Sequence, residues 1–277
     1  MGDIAQSVES FGSRVQHDSW FDRGIRFGFV VYGLVHLVVA WLALQLAFGD
    51  HSGRANSTGA LTKLAHTTFG GVLIWLIALG MLVLVLWRLL DAAVGHQEEQ
   101  DGGKRTRKRL VSLGKAIIYG AVSLSAFRIA TSPAHQSKKG GGTDDFTATV
   151  MQWPGGQLIV GLIGLAIIAY GANLVRRAWT EKFREHLDAE GQSGEAGRAY
   201  VKFGKAGYTA KGVAFAIIGG LFVYAAFTHN AKKSGGLDVA LHKVLQQPLG
   251  QWLLALIAIG IACYGLFCFA RARHLSR

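Results

Sequence analysis

Apolar runs alternate with short polar intervals along this chain. Six of the runs reach about twenty residues: 27–48, 70–90, 111–130, 157–176, 206–228 and 250–270. A bilayer core of roughly 30 Å needs about that many residues at helical rise, so each run predicts a transmembrane helix. Water is absent there, and the backbone must satisfy its own hydrogen bonds; helices do so and open strands do not. The polar intervals are of two kinds. Two are charged and glycine-bearing, HQEEQDGGKRTR at 96–107 and EKFREHLDAEGQSGEA at 181–196, and read as linkers. The others hold a glycine-rich segment and then apolar residues at helical spacing, best seen at Leu237, Ala240, Leu241, Val244 and Leu245. Asp238 stands near the start of that piece, where a helix dipole favours an acid. The turn Pro248-Leu249-Gly250 follows.

Sliding the chain on itself shows that one hairpin is written three times. At an offset of 94, Pro154, Gly156, Gln157, Leu162, Tyr170 and Gly171 fall on Pro248, Gly250, Gln251, Leu256, Tyr264 and Gly265. At an offset of 85, Gly70, Gly71 and Leu73 fall on Gly155, Gly156 and Leu158. The odd-numbered helices align through Tyr32-Gly33, Tyr119-Gly120 and Lys211-Gly212. The copies span 23–95, 108–180 and 197–277, the last with a basic C-terminus. All three insert in one orientation, a parallel repeat whose simplest packing is a pseudo-threefold bundle about the membrane normal. Ahead of them, residues 1–22 carry Ile4, Val8, Phe11 and Val15 on one helical stripe, which fits an interfacial helix or a solvated tail.

Three tandem two-helix units with G–x–x–A–L or G–L–D–x–A–L pieces, then P–x–G–x–x–L and Y–G before a basic end, resemble the domain of unknown function 1206 family of bacterial, largely actinobacterial, integral membrane proteins. The residues that carry the likeness are Gly236–Leu241, Pro248–Gly250, Tyr264-Gly265 and G-Y-T-A-K-G at 207–212. The first unit departs from the pattern, with Thr68 in place of proline and Val85 in place of tyrosine. The resemblance implies an all-α polytopic architecture in a bacterial plasma membrane and no particular activity.

Composition agrees with membrane residence: 51% of the 277 residues are hydrophobic, mean hydropathy is +0.30 and there are three prolines. A net charge of +12 would suit nucleic acid, but the distribution of charge argues for topology instead. The N-terminus, the 2–3 and 4–5 connections and the C-terminus hold 3, 7, 8 and 3 of the Lys and Arg residues; the other loops hold 2, 3 and 3. The positive-inside rule then places both termini in the cytoplasm. The polar start, followed by a full-length span belonging to the repeat, does not fit a cleaved signal peptide. Cys263 and Cys268, five apart on one apolar run, read as packing residues.

Membrane helices associate through small residues. Ala206, Ala210 and Ala214 form one seam, Gly212, Ala216 and Gly220 another, and Ala258 and Ala262 a third. Among intramembrane ionisable groups His36 stands out, some nine residues into the first run with Tyr32 one turn before it. The matching positions are Tyr119 and Ser123, then Lys211 and Phe215. If the odd helices share an axis, Tyr32, His36, Tyr119, Ser123 and Lys211 line a polar interior; otherwise His36 is a neutral, hydrogen-bonded packing residue. Asn173 reads as an interhelical hydrogen bonder. No second histidine lies at the depth of His36 to complete a haem site, and His51 with His66 lacks the ligands of a metal site. The glycines at 140–142 after Lys138-Lys139 read as a flexible linker rather than an anion site. The residues predict no cofactor and no catalytic set. Three readings follow in order: a non-enzymatic accessory membrane protein that packs with a protein partner or with itself, a channel or carrier for protons, ions or a small solute, and an intramembrane enzyme.

Overall fold

The computed structural model describes residues 19–49, 70–94, 102–131 and 143–275. Among them the chain is helical: α1 (Ser19–Ala47), α2 (Gly70–Ala93), α3 (Gly102–Thr131), α4 (Thr143–Met151), α5 (Gly156–Trp179), α6 (Gly194–Phe227), α7 (Leu237–Leu245) and α8 (Gly250–Arg273), with 3-10 turns at Lys182–His186 and Ala231–Lys233. Six helices (α1, α2, α3, α5, α6 and α8) are long and apolar enough to cross a membrane, as the hydrophobic runs predict. The amphipathic stripe of residues 1–15, His51, His66 and the 138–142 segment lie outside the described residues.

The chain divides into two compact units, residues 1–32 with 64–133 and residues 33–63 with 134–277. In the first, α1 meets α2 at glycines: a methyl on Gly28 would fall 2.8 Å from the Gly80 carbonyl oxygen, and one on Gly80 2.9 Å from Val31 Cγ2. Phe29 and Trp87 meet edge to face at 5.6 Å beside this crossing. α2 also lies along α3. Arg88 pairs with Asp91 at 2.6 Å at the end of α2.

In the second unit α5 runs along α6, and α6 along α8. Val150, Val160 and Phe222 form a core where the short helix α4 meets this layer. The turns after α4 and α7 share two backbone hydrogen bonds. Trp153 N–H donates to Val150 O at 3.1 Å and Gly156 N–H to Trp153 O at 2.8 Å; Gln247 N–H donates to Val244 O at 3.0 Å and Gly250 N–H to Gln247 O at 2.8 Å. Gly155 (φ 72) and Leu249 (φ 60) occupy the same left-handed position. The glycine that follows has no room for a side chain: a methyl on Gly156 would lie 2.8 Å from Val150 C, and one on Gly250 2.6 Å from Leu245 C. The P–x–G–Q pattern is therefore a backbone device that folds a short helix onto the start of a membrane helix.

Two expectations change. Residues 102–107 of the first stretch and 181–196 are not simply linkers. α3 already starts at Gly102, because its Lys and Arg residues sustain a helix outside the hydrocarbon. In the other stretch Phe183 is fully buried and stacks on Tyr208 at 5.4 Å, with Phe267 edge-on at 5.3 Å. Gly204 gives that ring its space, since a methyl there would fall 2.7 Å from Phe183 Cδ2. The end of α8 closes the same region: Asp188 N–H donates to His274 O at 3.0 Å, and the Asp188 carboxylate lies 3.2 Å from His274 Nδ1.

Candidate functional site

The repeat equates Gly33, Gly120 and Gly212 on the odd helices, and each stands opposite an even helix from a different copy. Gly212 on α6 faces Gly171 on α5; a methyl on either would come 2.6 Å from the other's carbonyl oxygen. Gly33 on α1 faces Gly265 on α8 in the same reciprocal way, at 2.8 and 2.9 Å. Such approaches bring backbones into direct contact, which is how helices gain packing energy where the hydrophobic effect is absent. In the first unit the even-helix glycine is missing, and the nearest atom to a methyl on Gly120 would be Val85 Cγ2 at 3.9 Å.

Seven residues along, the three crossings diverge further. Gly219 meets Gly164 at 2.6 Å and 2.7 Å by the same measure. The equivalent pair Ala40 and Ala258 is buried. In the first unit the pair is Phe127 and Leu79, 48% and 52% exposed. Heptad spacing along α6 therefore carries the α5 contact. Gly212 and Ala216 lie on it as expected, whereas Gly220, one residue past Gly219, points to open space. Ala210 and Ala206 instead face Gly260 on α8. Asn173, two residues past the Gly171 seam, is exposed and not held between helices.

The candidate polar residues are placed by these crossings. His36 lies against Tyr264 with ring centroids 4.9 Å apart. At the equivalent place on α6, Phe215 lies against Tyr170, the repeat counterpart of Tyr264, at 5.1 Å. The third equivalent, Ser123, donates its hydroxyl to Ala78 O across the α2–α3 pair at 2.9 Å. Tyr32 and Tyr119 meet edge to face at 5.1 Å within the first unit. Lys211 holds its Nζ 3.8 Å from the centre of the Tyr264 ring, a cation–π contact that reaches about 2 kcal/mol when desolvated.

The five residues thus fall into two groups: Tyr32, Tyr119 and Ser123 in one unit, His36 and Lys211 in the other, joined by Tyr264. Sequence reasoning valued Tyr264 only as a mark of the repeat. The available signal was its match to Tyr170 at the depth of His36. Five of the six residues of the G-Y-T-A-K-G motif make contacts between elements, while Thr209 donates its hydroxyl to Lys205 O within α6 at 2.7 Å. Gly207 backs onto the Tyr264 main chain, where a methyl would fall 2.5 Å from Tyr264 Cα; Tyr208 stacks on Phe183, Ala210 faces Gly260, Lys211 covers Tyr264 and Gly212 meets Gly171. Cys268, one turn beyond Tyr264, is buried as a free thiol. Among the described residues no three His, Cys, Asp or Glu side chains are grouped to hold a metal ion.

Comparison with known proteins agrees with the threefold repeat. The family described as Domain of Unknown Function (DUF1206) matches residues 27–95, 110–181 and 206–274. An uncharacterized protein of Bacillus subtilis (strain 168), YxxB, is 25% identical over 273 residues, covering 97% of this chain and 98% of that protein. No solved structure matches. With the three matched segments covering most of its length, and each coinciding with one helix hairpin, this chain belongs to the Domain of Unknown Function (DUF1206) family.

Proposed function

We propose that the protein is a non-enzymatic structural or accessory component of the bacterial plasma membrane, with both termini cytoplasmic, that packs against a protein partner or a second copy. One observation carries this reading. The most conspicuous polar group, His36, makes the ring contact with Tyr264 that Phe215 makes with Tyr170. A position that takes phenylalanine in a sister copy is used for packing, not for proton transfer. Ser123 and the Tyr32–Tyr119 pair are likewise engaged in helix contacts. The excess of Lys and Arg in the termini and the even connections supports the orientation. The test is crosslinking in native membranes followed by mild extraction. A stable hetero- or homo-oligomer is expected, and a lone monomer throughout would defeat the proposal.

A second reading, a channel or carrier for protons, ions or a small solute, is favoured by the convergence of His36 and Lys211 on Tyr264 in the second unit. Proteoliposomes decide between the two. A permeation role requires flux that is lost in His36→Leu, whereas the accessory role requires no flux above empty vesicles.

A further inference from the structure

The first unit carries a groove of about 370 Å³ between α2 and α3, running from Trp75 and Phe127 at one end to Val85 and Gly120 at the other. Its origin is the broken seam. Where the other crossings set glycine or alanine face to face, this one has Val85 against Gly120 and Leu79 with Phe127, so the two helices leave a trough instead of closing. From Trp75 to Val85 the trough covers ten residues of helix, about 15 Å, or half of a roughly 30 Å hydrocarbon core. The one polar side chain lining it, Ser123, already donates to Ala78 O, so the floor is apolar.

Beside the Trp75–Phe127 end stands a charge. Arg128 follows Phe127, four residues after the lining Leu124, and is exposed three residues before α3 ends. α3 contains no acidic residue, and the one acid of α2, Asp91, pairs with Arg88 at that helix's far end. Trp75 and Phe127, edge to face at 5.6 Å, form an aromatic rim at the same level.

We propose that this groove binds one phospholipid, its acyl chain along the trough from Phe127 to Gly120 and its phosphate on the Arg128 guanidinium. Length, apolarity and the Arg128 cation at one end match a chain with an anionic head. A helix from a second copy would bring no negative charge to Arg128 unless it carried an acid at that depth.

The test uses the full chain, delipidated in mild detergent and titrated with phosphatidylglycerol under native mass spectrometry. Wild type is expected to hold one lipid more tightly than the rest. Arg128→Gln, which alters an exposed side chain, should weaken that site about tenfold by removing a charge-assisted hydrogen bond. Gly120→Leu, which fills the trough, should abolish it. In parallel, phosphatidylglycerol brominated in mid-chain should quench tryptophan fluorescence in wild type, and Trp75→Phe should remove most of that quenching. Equal lipid retention in wild type and Arg128→Gln overturns the proposal, as does quenching unchanged in Trp75→Phe. A lipid-free dimer that Gly120→Leu dissociates overturns it too, and assigns the groove to a second copy.

Discussion

The α5–α6 and α2–α3 pairs are the same crossing, the even helix of one copy against the odd helix of the next, yet they pack differently. In the first, Gly164 and Gly171 meet Gly219 and Gly212 closely enough that no methyl would fit. In the second, Gly120 keeps its glycine but has lost its partner, and Leu79 and Phe127 stand where the other pair has glycines. The contrast teaches that a glycine matters here only when a glycine or similarly small residue lies opposite. Dispersion falls off steeply with separation, so one bulky residue in a seam forfeits contacts along the whole turn.

Placing the same side chain in both seams gives the largest expected effect. Gly212→Leu must push α5 away and should lower stability by about 3 kcal/mol, seen as a clear fall in the thermal midpoint in mild detergent. Gly120→Leu enters open space and should cost less than about 1 kcal/mol. Equal losses would mean that the two seams do not differ as described. Next comes His36. His36→Ala should cost about 1–2 kcal/mol through the lost ring contact, while His36→Phe, which reproduces the Phe215–Tyr170 pair, should stay within about 0.5 kcal/mol of wild type in the same assay. Gly120→Ala should raise stability by up to about 1 kcal/mol, because the nearest neighbour of the new methyl lies at 3.9 Å and alanine favours the helix; a fall would show that the α2–α3 backbones approach more closely than that. The smallest effect concerns the matched turns. Leu249→Gly, which installs the residue found at Gly155, should gain about 0.5–1 kcal/mol by relieving a left-handed leucine.

Much of the site could be read before folding, though unevenly. The Tyr-Gly and Lys-Gly steps identified Gly33, Gly120, Gly171, Gly212 and Gly265, and all but Gly120 meet a glycine. The seam was misjudged at one point. Gly219 and Gly220 are adjacent, and only the rotation of α6 against α5 decides that Gly219 is the contact. Phe183 was missed for a different reason. It lies in a strongly charged stretch with no apolar periodicity, and its burial comes from Gly204, Tyr208 and Phe267, which are distant in sequence.

Two properties of this protein followed from sequence alone, because both are local. Twenty apolar residues make a membrane-length helix whatever surrounds them, and a repeated pattern makes a repeated hairpin. The tertiary structure decided which odd helix meets which even helix: α6 with α5 and α1 with α8 through glycines, and α3 with α2 around a groove. That choice depends on which small residues come to face each other across two helices, and no single stretch of chain contains both sides of such a contact. It is also what turns His36 from an isolated intramembrane histidine into the counterpart of Phe215.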